Sequence, residues 1–398
     1  MRELMTTVTI LPADGCAGTL IGRVMLPGKN GGPSVVAIRK NGIFDLGRSA
    51  PTVSMLLNDP DPVARVRKTA GTHVSSLDEL LLASPSMNSG VAGAEKARFL
   101  APCDLQAIKA CGVTFVTSLL ERVIEEHVRG DPGRAEAARA DLSRMIGADL
   151  TTLKPGSEAA LRLRAELISR NAWSQYLEVG LGPDAEVFTK AQPMSAVGVG
   201  DDVGIHPAST WNNPEPEIVL AVASDGRVVG ATLGNDVNLR DVEGRSALLL
   251  GRAKDNNAST AIGPFIRLFD ETFTLDDVRR ADLTLTVQGR DDFTLEGKSS
   301  MACISRDPLD LVAHAMGPTH QYPDGMMLFL GTMFAPTADR GAPGRGFTHH
   351  DGDIVRISTP SLGSLVNRVT TSDKASPWTF GTGRLMANLA ARGLLPNA

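Results

Sequence analysis

A chain of 398 residues is too long for one small core, so two domains are expected. Hydrophobic content of 42% and charged content of 21% mark a soluble, globular chain, and a net charge of -5 argues against a general nucleic-acid binder. No apolar run approaches the ~20 residues of a membrane span, the opening MRELMTTVTILPADG lacks the long apolar stretch of a secretory signal, and four scattered cysteines without a CxxC fit reduced thiols in a cytoplasm.

The first hundred residues alternate strand signals with turns. GTLIGRVMLPGKNGGPSVVAIRKNGIFDLG, residues 18–47, predicts three strands broken by Gly and Pro clusters. A polar, helix-leaning stretch runs from about Ala50 to Arg98. The character changes near Pro102, which suggests an N-terminal domain over 1–100 and a second domain over 101–398. In TFVTSLLERVIEEHVRG, Val116, Leu119, Leu120, Val123, Ile124 and His127 recur at helical spacing, and Gly130-Asp131-Pro132 stops the helix. Glu125 and Glu126 of that helix read as its solvated face, and residues 134–170 read as a further solvated amphipathic helical segment. From Val187 to Val369 the chain is strand-rich, with short apolar runs ending in Gly, Asp or Asn turns. The tail from Ala375 reads as peripheral.

The stretch WNNPEPEIVLAV, residues 211–222, sets two glutamates beside an apolar run. Residues i and i+2 of an extended chain point to one face, and Pro216 favours extended geometry at Glu215. Glu215 and Glu217 therefore share a face, next to a strand that reads as core. Two such like charges repel, and one would keep its proton unless a cation sat between them. Taken alone, the pair also reads as two solvated acids at a strand edge. The following hairpin decides against that. The chain turns at Ser224-Asp225-Gly226, and the returning strand ends at Gly234-Asn235-Asp236, which brings Asp236 beside the glutamates. Three carboxylates are hard oxygen donors suited to Mg²⁺ or Mn²⁺.

Lys254, in LLLGRAKDNNAS, follows an apolar segment. Held near a metal and partly buried, such a lysine can have a lowered pKa and serve as base or acid, although alone it reads as a surface lysine. Glu186 and Lys190 flank a short strand in AEVFTKAQP. Two other features are discounted. His349-His350-Asp351-Gly352-Asp353 sits at a turn entering a strand and reads as structural, and the glycines of VGVGDDVG at 197–204 lack a following helix and read as a plain turn.

EPE at 215–217, GNDVNLRD at 234–241, the lysine in AKDNNAS and MMLFLGT at 326–332 resemble the fumarylacetoacetate hydrolase superfamily, over roughly residues 100–370. GVTF at 112–115, WSQYLEVGLGPDAEVFTKAQP, WNNPEPE, EGRSALLL, SSMACISRDP and GFTHHDGD are similar to its sugar-acid branch, the 2-keto-3-deoxypentonate dehydratases. The resemblance implies an α+β, mainly β fold. Its catalytic domain would be a rolled, barrel-like β-sheet, preceded by a smaller N-terminal α+β domain. It implies metal ligation of Mg²⁺ (Mn²⁺ as an alternative) by Glu215, Glu217 and Asp236. Lys254 falls on the active-site lysine and Glu186 on a carboxylate partnering it. Arg240 and Thr332 fall on substrate-carboxylate contacts, and Ser118 and Arg122 lie in a segment matching a substrate-closing helix. A cytoplasmic homodimer or higher homo-oligomer is implied.

The implied reaction dehydrates a 2-keto-3-deoxypentonate derived from D-xylonate or arabinonate to 2-oxoglutarate semialdehyde. The metal acts as Lewis acid on the 2-keto oxygen, a side-chain base removes the C3 proton, and the C4 hydroxyl leaves. Lys254 is the assigned base and Glu186 its partner, with the reverse assignment open. The hydrolases of the superfamily use a His-Glu pair on a lid, and none of the seven histidines supplies an evident equivalent. The main rival is metal-dependent C–C hydrolysis of a β-diketo acid. Others are a decarboxylase or tautomerase of oxaloacetate-like acids, and a non-catalytic keto-acid sensor, which would need neither Lys254 nor Glu186.

Overall fold

The computed structural model describes residues 1–83, 96–146, 153–169 and 173–395. Helix α1 (Thr7–Ile10) precedes strands β1 (Leu20–Leu26), β2 (Gly32–Arg39) and β3 (Gly42–Asp45). Then come α2 (Val53–Leu57), α3 (Pro62–Lys68), β4 (Thr72–Ser75), α4 (Leu77–Leu82) and β5 (Arg98–Leu100). Thr52, Asp61 and Ser76 cap the three helices of this stretch with side-chain oxygens. The helix-leaning segment expected from Ala50 to Arg98 is thus short helices interrupted by β4, and its part at 84–95 lies outside the described residues.

Strand β6 (Ala107–Gly112) leads into α5 (Val116–His127), α6 (Ala135–Ile146), α7 (Glu158–Ser169) and α8 (Gln175–Leu181). The four helices bury their own cluster, including Leu119, Val123, Ile124, Ala138, Leu167 and Leu177. His127, placed on the apolar stripe by spacing, is exposed. Residues 147–152 and 170 of the predicted helical segment lie outside the described residues.

The strand-rich half contains β7 (Glu186–Ala191), β8 (Asp202–Ile205), β9 (Asn212–Asn213), β10 (Pro216–Val222), β11 (Val228–Asp236) and β12 (Asn238–Leu239). Helices α9 (Arg240–Glu243) and α10 (Leu250–Lys254) lead to β13 (Thr260–Leu268). The chain closes with α11 (Leu275–Arg279), β14 (Asp282–Gln288), β15 (Thr294–Ser300), α12 (Pro308–Ala315), β16 (Met326–Phe329), β17 (Ile354–Thr359), β18 (Gly363–Thr371) and α13 (Thr382–Ala391).

The larger sheet runs β4-β3-β2-β1-β13-β11-β10-β16-β6-β7, with β5 added on β1. The smaller runs β15-β14-β17-β18-β8. The path of the larger sheet ends at β4 and β7, so the rolled sheet is not a closed barrel. The α+β, mainly β class holds. Between the sheets lies one core, with Ile218, Leu220 and Leu233 against Leu285, Ile357 and Leu365. On the opposite face, Val219, Ala221 and Phe329 pack with Leu56 and Val66 of α2 and α3. Strand β10 is therefore buried on both faces, which is why Ile218–Val222 reads as an unbroken apolar run rather than an alternating one.

The tail is docked, not peripheral. Leu385 and Leu389 of α13 pack with Met194. Asn388 Nδ2 donates to Gly31 O (2.8 Å) and Arg392 Nη1 to Pro33 O (2.7 Å). Among the described residues no helix is long and apolar enough to cross a membrane.

Leu220 is fully buried at the centre of the inter-sheet core. Leu220→Ala is expected to lower unfolding free energy by about 2–5 kcal/mol, read as a fall in the denaturant midpoint at unchanged m-value.

Candidate metal centre

The hairpin of β10 and β11 places Pro216 opposite Asn235 and Glu217 opposite Gly234. Asp236 N–H donates to Glu215 O (3.0 Å), and Glu215 N–H donates to Asn235 Oδ1 (3.1 Å), so the mouth of the hairpin is tied across. Glu215, Glu217 and Asp236 are all buried, and each offers one carboxylate oxygen within 4.8 Å of the others. Strand β16 runs antiparallel to β10 and delivers Gly331 and Thr332 to the same place. Gly331 N–H donates to Glu217 Oε2 (2.7 Å) and Thr332 Oγ1 to Glu217 Oε1 (3.3 Å). Gly331 has φ 105°, and a Cβ there would sit 1.9 Å from Thr114 Oγ1, so only glycine fits.

Lys254, at the end of α10, is buried rather than on the surface. Its Nζ donates to Glu215 Oε2 and to Asp236 Oδ2 (3.2 Å), and lies 3.9 Å from Glu243. Burial alone would depress its pKa, but Asp236, Glu215 and Glu243 outweigh burial and hold the proton more tightly than usual. The lowered value expected for a lysine beside a metal is therefore not what the carboxylates alone produce. Lys190 is also fully buried, with Nζ 3.0 Å from Asp236 Oδ1 and donating to the carbonyls of Val237 and Lys254. It links the metal-ligand strand to the lysine-bearing helix, and its spacing on β7 gave no sign of this.

Helix α5 contributes a second layer. Arg122 donates to Glu125 and Glu215 and stands 3.6 Å from Glu243. Arg240 bridges to Glu125 (2.6 Å) and Glu121 (2.7 Å), donates to Pro336 O (3.0 Å), and lies 4.4 Å over the Trp211 ring. Glu125 is therefore not on a solvated face: it is fully buried between two arginines, while Glu126 is half-buried and binds Ser174 and Gln175. The helical spacing had placed Glu125 outward, but the arginines compensate its charge inside. Ser118 Oγ donates to Phe115 O (2.9 Å) within its own helix. Glu186, half-buried on β7, has its carboxyl pushed up to about 7 by burial and by Glu243. No hydrogen bond or ion pair joins Glu186 to Lys254 among the described residues. Glu243 is the carboxylate nearest that lysine after the ligands, and Glu243 was not singled out from sequence. Its place three residues after Arg240, one helical turn on, was the available signal.

The site fits a divalent cation. Glu121, Glu125, Glu186, Glu215, Glu217, Asp236 and Glu243 meet only Arg122, Arg139, Lys190, Arg240 and Lys254, leaving an acidic excess. Burial, with Asp236 and Glu215 beside it, pushes the Glu217 carboxyl far above the usual range. Lys190 and Lys254 outweigh burial and keep Asp236 ionised, with Lys190 Nζ 3.0 Å from its Oδ1. Three buried carboxylates with oxygens within 4.8 Å of one another form a donor set that could hold a hard divalent ion. The histidines lie elsewhere. His349 is buried against Asp353 (3.1 Å), which Arg340 also binds (2.6 Å), so that cluster is structural.

Without a cation, the raised Glu217 contributes stability that is present below the ordinary carboxyl range and lost as pH rises through its folded-state value. A bound cation displaces that proton. Mg²⁺ affinity is therefore expected to rise with pH, and saturating Mg²⁺ at about 100-fold over Kd to stabilise the fold by about 2.7 kcal/mol. Thermal melts with and without Mg²⁺ at a series of pH values from the ordinary carboxyl range upward check both, and Glu217→Gln is expected to abolish the Mg²⁺ effect.

Residues 170–370 match the family model described as fumarylacetoacetate (FAA) hydrolase C-terminal. The chain is 30% identical over 184 residues to a 2-dehydro-3-deoxy-D-arabinonate dehydratase of Saccharolobus solfataricus, across 46% of this chain and 58% of that protein. It is 29% identical over 196 residues to a protein of Haloferax volcanii named probable 2-keto-3-deoxyxylonate dehydratase, across 49% and 64%. The matches thus span less than two thirds of these relatives. A solved 2-keto-3-deoxy-D-arabinonate dehydratase complexed with magnesium and 2,5-dioxopentanoate shares the fold, with a TM-score of 0.58 at 21% identity over 88% of this chain and 99% of that one. Its apo form gives 0.60. With half of its length matched by the family model and the carboxylates of EPE and GND converging in the fold, the chain belongs to the fumarylacetoacetate hydrolase family.

Proposed function

We propose that the protein is a Mg²⁺-dependent hydro-lyase that removes water from a 2-keto-3-deoxypentonate to give 2-oxoglutarate semialdehyde. The observation that carries this reading is the buried carboxylate triad, its oxygens within 4.8 Å of one another, with Lys254 against it. The names of the two relatives support the substrate class. Glu215, Glu217 and Asp236 would hold Mg²⁺, which supplies a Lewis acid for an α-oxo acid and neutralises the carboxylates that grip the Lys254 proton.

The chain's own groups then divide the work. Lys254 Nζ accepts the C3 proton. Glu186, whose carboxyl is pushed up to about 7 and so keeps a substantial protonated fraction near neutrality, gives its proton to the departing C4 hydroxyl, so the C3–H and C4–O bonds break and one water leaves. The α,β-unsaturated keto acid so formed, with its C3=C4 double bond, then loses a proton from C5 and gains one at C3, and the resulting C4=C5 enol tautomerises to the semialdehyde. Thr332 and Arg122 are assigned to the substrate carboxylate, which requires Arg122 to release Glu215. Arg240, whose guanidinium already binds Glu121 and Glu125, is assigned to holding α5 against the site, and Ser118, bonded to Phe115 O, to the first turn of that helix. Every one of these side chains comes from residues 101–398, which we take as the catalytic domain, with 1–100 as a domain joined to it through the β1–β13 pairing. A homodimer in the cytoplasm completes the proposal.

Product identification after incubation with a 2-keto-3-deoxypentonate and Mg²⁺ is the test. A semialdehyde is expected, and two smaller acids from a β-diketo acid with no pentonate turnover would replace the reading by C–C hydrolysis. Lys254→Met is expected to retain Mg²⁺ binding and lose about 10²–10⁴-fold in kcat. It should also lose C3 exchange in deuterated water, and exchange at the wild-type rate removes Lys254 as the base. Because Glu186 acts as the protonated partner, kcat is expected to fall as pH rises through about 7, and Glu186→Gln to remove that limb of the profile.

A further inference from the structure

A groove of about 1070 Å³ runs behind the carboxylate cluster, between β1 and β5 on one side and the tail at 376–380 on the other. Arg23 of β1 lies on its floor at 5% exposure. Its Nη1 donates to Cys103 O (3.1 Å), but its Nη2 has no partner. Its nearest carboxylate, Asp104, is 4.0 Å away and already accepts the N–H groups of Val53, Ser54 and Leu105. Asp104 offsets the charge of this buried guanidinium at 4.0 Å, but its idle Nη2 donor still lacks an acceptor.

Charge in the groove points the same way. Arg23 pairs with Leu100 and Met25 with Arg98 across the β1–β5 ladder, so Arg98 is a diagonal neighbour on the same face. Arg98 makes no hydrogen bond or ion pair among the described residues; the charge facing it is Asp201, whose carboxylate accepts from Gly198 N–H. Lys96 stands at the rim. The remaining acid, Asp202, is taken by Arg368 through two bonds of 2.8 and 2.9 Å. The groove is thus cationic on a chain whose net charge is -5. Its other wall is apolar, with Met25, Leu26, Phe380 and the half-exposed Trp378.

We propose that this groove is a second ligand site, separate from the metal centre, for a small organic anion with an apolar body: the carboxylate, phosphate or sulfonate group meets Arg23 and Arg98, and the body lies against Trp378. Asn257 and Ala258 of its wall follow Lys254 by three and four residues, so an occupant touches the connection that carries that lysine.

The test uses the full chain and anilinonaphthalene sulfonate, an aromatic anion, followed by fluorescence. Saturable binding is expected, displaced by inorganic phosphate or by citrate according to which head group the site prefers. Arg98→Glu, at a half-buried position, is expected to weaken binding at least tenfold with an unchanged melting temperature, and Arg23→Met, which also gives up the bond to Cys103 O, to weaken binding at least tenfold. Glu217→Gln is expected to leave dye binding intact, which separates the groove from the metal centre. Non-saturable binding, equal binding by Arg98→Glu and wild type, or a dimeric mass with no dye bound because a second copy covers the groove would each overturn the proposal.

Discussion

The structure is organised around a concentration of buried negative charge. Glu215, Glu217 and Asp236 sit at the mouth of one hairpin, with no water-facing escape for any of them. Their mutual repulsion has to be met by cations held rigidly nearby. Lys190 and Lys254 reach Asp236 from opposite sides, and Arg122 reaches Glu215 from α5. Removing one partner of such a buried pair typically costs about 3–5 kcal/mol, because the remaining charge is stranded. The elements that carry these cations, strand β7 and helices α10 and α5, are therefore part of the site and not merely its cover.

The layers explain how the charge can be tolerated. Both faces of β10 are buried, one against the second sheet and the other against α2 and α3. The apolar run from Ile218 onward anchors the strand, so its first residues can carry carboxylates without being free to swing into water. Gly331 performs the matching task from β16. Its left-handed backbone aims an N–H at Glu217, and Thr114 leaves no room for a side chain there. Rigid placement of this kind is what lets three like charges act as a preformed ligand set.

The α5 network adds a feature that bears on how the site opens. Arg122 is shared among Glu125, Glu215 and Glu243, while Arg240 ties Glu121 and Glu125 to the loop at Pro336. A cation held by Glu215, Glu217 and Asp236 would compete with Arg122 for Glu215, so α5 and the carboxylate cluster share one carboxylate. Glu243 Oε2 stands 3.6 Å from the same guanidinium.

Local rules were enough for the hairpin. The period of two, Pro216 and the Ser224-Asp225-Gly226 turn placed the three carboxylates together before any contact was known, because antiparallel register follows from turn position. Family motifs pointed to Lys254, which the fold sets against Glu215 and Asp236, and to Glu186, which makes no hydrogen bond or ion pair to that lysine among the described residues. What sequence spacing could not decide was compensation across long separations. Glu125 reads as a solvated residue until Arg240, 115 positions away, is seen to bind it. Lys190 reads as an edge-strand residue until Asp236 is found 3.0 Å from it. Arg23 reads as an ordinary strand residue until Asp104 is found already occupied. Periodicity records which face of an element is apolar, whereas the partner of a buried charge is set by which elements the tertiary fold brings alongside.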